Sequence, residues 1–116
     1  MADVVETDIM RREPILRAIV PRLVEVYSPV RIYLFGSKAR GDDGPDSDYD
    51  FLVVVPDDAP ENLRSGGAGR KATLDIEAAQ DILVCTIGFF ERRSTVKTSL
   101  PATVLREGKL LYAEQS

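Results

Sequence analysis

Apolar residues recur along this chain at two spacings, and each spacing predicts a different element. Ile15, Leu16, Ile19, Val20, Leu23 and Val24 fall at helical intervals and predict a helix over residues 7–27. Pro14 suits a first helical turn. Pro21 removes an interior hydrogen bond, so the helix is expected to kink or divide near Pro21. Residues 30–35 read as a strand closed by Gly36, and residues 42–47, rich in Asp, Gly, Pro and Ser, as a loop. Residues 49–55 form a nearly continuous apolar run ended by Pro56, the pattern of a strand covered on both faces. Further on, the glycines within residues 65–69 predict a mobile loop. Residues 73–80 then predict a helix, 82–87 a third strand, 101–107 a last helix stopped by Gly108, and 110–112 a short terminal strand. Helix, strand, strand, helix, strand, helix describes an α/β protein, a small sheet with helices packed on it, within one domain of 116 residues.

The chemistry concentrates between Phe35 and Val55. Alternate side chains of a strand share a face, so Asp48 and Asp50 project together while Tyr49 and Phe51 point away. Two carboxylates roughly 6–7 Å apart along a strand can share hard divalent cations such as Mg²⁺. Paired acidic residues are common on solvated strand ends. This pair, however, stands at the mouth of the buried run Phe51–Val55, where charge is costly unless a metal or partner compensates it. Gly36 and Ser37 form a small-residue turn between strand and helix. At such a turn the backbone can approach phosphate oxygens, and the Ser37 hydroxyl can donate to one. Arg40, one helical turn on, is placed to meet phosphate or to pair with nearby aspartates. Lys38 reads as solvated. Two rival motifs fail. Phe51 stands where a calcium loop beginning at Asp46 needs glycine, and Asp42 and Asp43 replace the Lys-Ser/Thr that a P-loop needs after Gly41.

Gly36-Ser37-Lys38-Ala39-Arg40-Gly41, followed by Ser47-Asp48-Tyr49-Asp50 inside a hydrophobic run, resembles the minimal nucleotidyltransferases of the DNA polymerase β superfamily. The likeness extends weakly to Asp81-Ile82-Leu83-Val84, Phe89-Phe90-Glu91-Arg92-Arg93 and Leu105-Arg106-Glu107-Gly108. It implies a compact nucleotidyltransferase fold, a small mixed sheet flanked by helices. It implies transfer of a nucleoside monophosphate, AMP from ATP, to an acceptor hydroxyl, with two Mg²⁺ ions held by Asp48, Asp50 and a third carboxylate on the next strand. Asp81 fits that third place because it opens an apolar strand; Asp75 and Glu77 are its rivals. Gly36, Ser37 and Arg40 would bind the nucleotide. The resemblance also implies a helical HEPN-type partner, or a second copy of the chain, to cover the open nucleotide face, and an antitoxin role in a toxin–antitoxin pair. A catalytically silent binding module and a small-molecule adenylyltransferase of the aminoglycoside type are the alternatives.

Composition narrows the chemistry further. The chain has no histidine and one cysteine, so a zinc site is disfavoured and the chemistry falls to carboxylates and oxygen-preferring metals. A net charge of −4, without a basic tract or aromatic ladder, argues against broad nucleic-acid binding. No apolar run reaches the ~20 residues a membrane span requires. Cys85, alone in an apolar run, reads as a buried core thiol, and the whole suggests a cytoplasmic protein. The cluster Glu91-Arg92-Arg93 reads as solvated surface.

Overall fold

The computed structural model describes residues 8–114 and, upstream, the backbone of Asp3 and Val4. Five strands form one mixed sheet: β1 (Asp3–Val4), β2 (Arg31–Phe35), β3 (Tyr49–Val55), β4 (Gln80–Thr86) and β5 (Lys109–Ala113). Their order is β1-β5-β2-β3-β4, with β3 and β4 parallel and the other neighbours antiparallel. Six α-helices accompany them: α1 (Asp8–Arg12), α2 (Leu16–Tyr27), α3 (Ser37–Arg40), α4 (Gly67–Ala72), α5 (Ile87–Arg93) and α6 (Leu100–Glu107). A 3₁₀ turn occupies Glu61–Leu63.

Alternation along the strands sorts side chains onto two faces. Ile32, Leu34, Phe51, Val53 and Ile82 point to one face and join Leu16, Ile19, Leu23 and Tyr27 of α2 in the larger core cluster. Tyr33, Leu52 and Val54 point the other way and join Phe90 of α5 and Val104 of α6 in a smaller one. There the Tyr33 and Phe90 rings stack with centroids 5.5 Å apart. The Arg31 guanidinium lies over both rings, 5.9 and 5.2 Å from their centroids. Full burial of a side chain such as Phe51 contributes about 1.5–3 kcal/mol, so the apolar run of β3, buried from Phe51 to Val55, anchors both clusters.

The predicted strands and last helix are present, with β3 at the expected bounds. Ser99 caps α6 by accepting from the Ala102 N–H, Pro101 sits in its first turn, and the helix stops at Gly108. Four expectations are corrected. First, the N-terminal helical region divides at Pro14, not Pro21; Thr7, where the predicted helix begins, lies outside the described residues. Residues 13–15 separate α1 from α2, because Pro14 cannot donate back to Met10. Pro21 is accommodated inside α2 on its exposed side, where water can serve the opposing peptide group. Second, the glycine-rich segment expected to be a mobile loop leads directly into α4. A Cβ on Gly69 would come within 3.0 Å of Leu23, Tyr27 and Ile82 side-chain atoms, so the missing side chain lets α4 seat closely on α2 and β4. Tyr27 fastens this contact: its hydroxyl donates to the Ser65 carbonyl at 2.7 Å and accepts from the Gly69 N–H at 2.9 Å. Third, residues 73–79 form turns, not a helix, so the helix before β4 lies about two turns upstream of its expected place. Fourth, Cys85 is half-buried, beside the smaller cluster; burial still pushes its thiol up to about 11.

Two features were not anticipated. Helix α5 begins where Thr86 accepts from the Phe89 N–H, at 3.2 Å. Strand β5 inserts between β1 and β2, making β2 central. Glu91, Arg92 and Arg93 are exposed, as expected.

Candidate active site

The Gly-Ser turn and the aspartates meet because β2 ends where β3 begins. In the antiparallel register Phe35 lies opposite Asp50, so Gly36, the next residue, turns beside the Asp50 carboxylate. Gly36 has φ +76°, a conformation that favours glycine, and a Cβ there would stand 2.3 Å from Asp50 Oδ2. Both the backbone angle and the absence of a side chain are therefore required at this position. Ser37 opens α3 directly afterwards, with the Ala39 and Arg40 N–H groups bonded back to the Gly36 carbonyl at 3.1 Å. The N–H groups at the front of such a turn lack intrahelical acceptors.

The parallel register of β3 and β4 places Asp81 beside Asp50. Neighbouring strands lie about 4.8 Å apart, and paired residues of a parallel ladder share a face. Asp48 lies just before β3 and is exposed, as is Asp81, whereas Asp50 is half-buried. Asp50 feels both of the other carboxylates. Burial raises the Asp50 pKa, and the negative charges of Asp81 and then Asp48 raise it further, while Arg40 acts in the opposite sense. Among the described residues, no three acidic side chains converge as a ready-made metal cage. The donor set is nonetheless entirely carboxylate oxygen, its like charges raise the Asp50 pKa, and it adjoins the small-residue turn at Gly36. Those properties suit a hard divalent cation carrying a phosphate.

Asp75, one rival for the third carboxylate, is committed elsewhere. It accepts from both terminal nitrogens of Arg22, at 2.6 and 2.9 Å, and that pairing lowers its pKa to about 2. Glu77 lines a cavity of about 390 Å³ on the Tyr49 side of β3, with Lys38, Asp46 and Ser47. Neither rival joins Asp50. Arg40 takes the second of its two expected roles: its Nε donates to Asp42 Oδ2 at 3.1 Å, and a terminal nitrogen reaches Glu107 Oε1 at 3.5 Å. Lys38, expected to be solvated, is instead held by its neighbours, with a side chain only 12% exposed. Its contacts are with Asp43, Glu13 and the Tyr49 ring, and nothing in the local sequence signals them. On the face that carries Asp50 and Asp81, an apolar groove of about 220 Å³ runs between Leu52, Leu83, Cys85, Phe89 and Pro101. Leu83 and Phe89 are exposed there.

A family model described as "nucleotidyltransferase domain" matches residues 15–111, a span that includes the turn, all three aspartates, strands β2, β3 and β4 and the start of β5. The chain belongs to the nucleotidyltransferase domain family. Solved structures agree on the fold. One, described as a toxin-antitoxin with AMP-PNP, is 25% identical, with a TM-score of 0.53 over 94% of this chain and 76% of that one. Another, a putative nucleotidyltransferase from Sulfolobus solfataricus, is 22% identical, with a TM-score of 0.57 over 88% of this chain and 80% of the other. No curated protein matches the chain closely enough in sequence to count as a relative. The fold is thus the compact nucleotidyltransferase type with a mixed sheet flanked by helices. Among the described residues, no helix is long and apolar enough to cross a membrane.

Proposed function

We propose that this chain transfers AMP from ATP to an acceptor hydroxyl on a partner protein, acting as the antitoxin of a toxin–antitoxin pair. The observation that carries the transfer is the meeting of Gly36 with Asp50 and of Asp50 with Asp81, which sets the small-residue turn beside neighbouring carboxylates. Family membership supports the reaction class. The partner and the nucleotide are supported by the fold shared with a toxin-antitoxin structure that contains AMP-PNP, an ATP analogue.

In this reading Gly36 and Ser37 hold the β- and γ-phosphates through backbone N–H groups and the Ser37 hydroxyl. Asp48, Asp50 and Asp81 would hold two Mg²⁺ ions, which when bound would neutralise triphosphate charge and lower the pKa of the acceptor hydroxyl. The acceptor oxygen bonds to the α-phosphorus, the bond from that phosphorus to the bridging oxygen breaks, and pyrophosphate leaves. Asp81, exposed on β4, accepts the acceptor's proton, while Asp50, fixed by Gly36 and half-buried, orients the cluster. Arg40 offsets negative charge at Asp50 and steadies the turn through Asp42 and Glu107. The chain therefore contributes positioning and charge complementarity more than covalent chemistry. The exposed groove beside Asp81 leaves the acceptor side open, and a helical partner of the HEPN type, or a second copy of the chain, closes it.

Incubating the purified chain with its genomic neighbour, α-labelled ATP and Mg²⁺ tests the proposal. Label is expected on the neighbour, with none when Asp81→Asn replaces the wild type. Nucleotide binding without any transfer would favour the silent binding module, and label on an added aminoglycoside would favour the small-molecule enzyme.

A further inference from the structure

We infer that Lys38 is a positioning residue, whose ammonium ties the Gly36–Ser37 turn to the aspartate-bearing strand and so fixes the separation of phosphate and metal subsites. This inference rests on the reading of Gly36, Ser37, Asp48 and Asp50 as a nucleotide–metal site.

Lys38 follows Ser37 in α3, so its backbone belongs to the turn. Its side chain reaches the loop and β3. The ammonium lies 3.0 Å from Asp43 Oδ2, 3.9 Å from Glu13 Oε1 and 4.7 Å from the centroid of Tyr49. Tyr49 stands between Asp48 and Asp50 in sequence, and its hydroxyl donates to the same Glu13 oxygen at 2.5 Å. Arg12 donates to the Lys38 carbonyl at 3.0 Å. One cation thus joins four segments: the link between α1 and α2, the turn, the loop before the aspartates, and the first residue of β3.

The network is sheltered: the Lys38, Glu13 and Asp43 side chains are 12%, 17% and 21% exposed. Its hydrogen bond with Asp43 raises the Lys38 pKa and lowers that of Asp43, so both remain charged near neutrality. Lys38 acts through other residues and does not itself reach the carboxylates. Successive strand residues point to opposite faces, so the Tyr49 ring that it covers is turned away from the Asp50 carboxylate. Exposed ion pairs contribute little, but a sheltered cation shared by two carboxylates and a ring holds its partners in one geometry. A Mg²⁺–nucleotide complex must touch turn and strand together, so it senses their separation. Mg²⁺ alone touches only the carboxylates.

The test compares wild type, Lys38→Met and Lys38→Arg by calorimetry, with Mg²⁺ alone and with Mg²⁺–ATP, and by amide hydrogen exchange of the ligand-free proteins. Lys38→Met is expected to weaken Mg²⁺–ATP about tenfold or more while Mg²⁺ alone changes by less than about twofold, because misplacing one subsite against the other affects only the ligand that spans both. Lys38→Arg, which keeps the charge and can stack on a ring, should restore most of the loss. Exchange over residues 42–50 should quicken in Lys38→Met. Equal weakening of both ligands would mean a merely structural role and overturn the inference. Loss of metal-free ATP binding in Lys38→Met would make Lys38 a phosphate contact and overturn it also. If wild type binds no Mg²⁺–ATP, the site reading fails, and exchange alone then decides: unchanged exchange over residues 42–50 overturns the positioning role.

Discussion

On one face of β3, Phe51, Val53 and Val55 are fully buried, in a core that α2 completes. On the other, Leu52 and Val54 are covered by the smaller cluster of α5 and α6, but Asp50, next in that row, is only half-buried among like charges. Adjacent residues of one strand therefore do opposite work. Asp50 and Phe51 are neighbours in sequence, yet one carries unfavourable electrostatics that a metal would relieve, while the other contributes stability and touches no chemistry. The closed face keeps the strand rigid, and the rigid strand keeps the open face's carboxylates in register with Gly36 and Asp81.

Substitution of the two neighbours should separate these roles most sharply. Phe51→Ala is expected to cost about 3–5 kcal/mol of stability, read as a lower denaturant midpoint, because a fully buried ring leaves a cavity. Asp50→Asn should do the reverse. A carboxylate whose pKa is raised on folding carries a penalty when ionised, present above that raised pKa and relieved as pH falls through it. Asparagine removes the penalty at neutral pH, so the melting temperature should hold or rise, while transfer falls by about a hundredfold or more. A marked loss of stability in Asp50→Asn would break the division between the faces.

Asp75 offers a smaller and opposite contrast. Arg22 lowers its pKa to about 2 from an ordinary 3.8. A carboxylate depressed in this way stabilises the fold above its unfolded pKa and loses that contribution as pH falls through the folded value. Asp75→Asn should therefore be slightly less stable than wild type above about pH 4, with the gap closing as pH approaches about 2. Because the pair is exposed, the effect is modest. Urea midpoints at several pH values measure it, and a gap that widens on acidification would contradict the assignment.

The parts of this molecule legible in sequence are those set by local pattern. The run Tyr49–Val55 and its aspartates needed only strand alternation, and Gly108 and Pro101 marked the ends of α6. What stayed hidden depends on partners distant in the chain. Glycines near position 67 suggested mobility because their use, close seating on Leu23, Tyr27 and Ile82, is tertiary. Local pattern puts the break at Pro21, whereas the helix divides at Pro14; both prolines are exposed, so exposure does not tell them apart. Strand β5 was foreseen as a short terminal piece, but its place beside β2 reflects pairing across most of the chain. At the site, Asp81 was chosen over Asp75 and Glu77 by its position at a strand start, and the parallel register sets it beside Asp50. The role of Lys38 is hidden from local pattern because its partners Glu13, Asp43 and Tyr49 lie on three separate segments.

The central claim is that the turn and the carboxylates form one nucleotide–metal site, and calorimetry of Mg²⁺–ATP binding tests it most directly. Titration into wild type, Asp48→Asn and Asp50→Asn should show Mg²⁺-dependent binding that each substitution weakens severely while both variants still unfold cooperatively. Unchanged Mg²⁺–ATP affinity in both variants would contradict the account and move the site elsewhere on the fold.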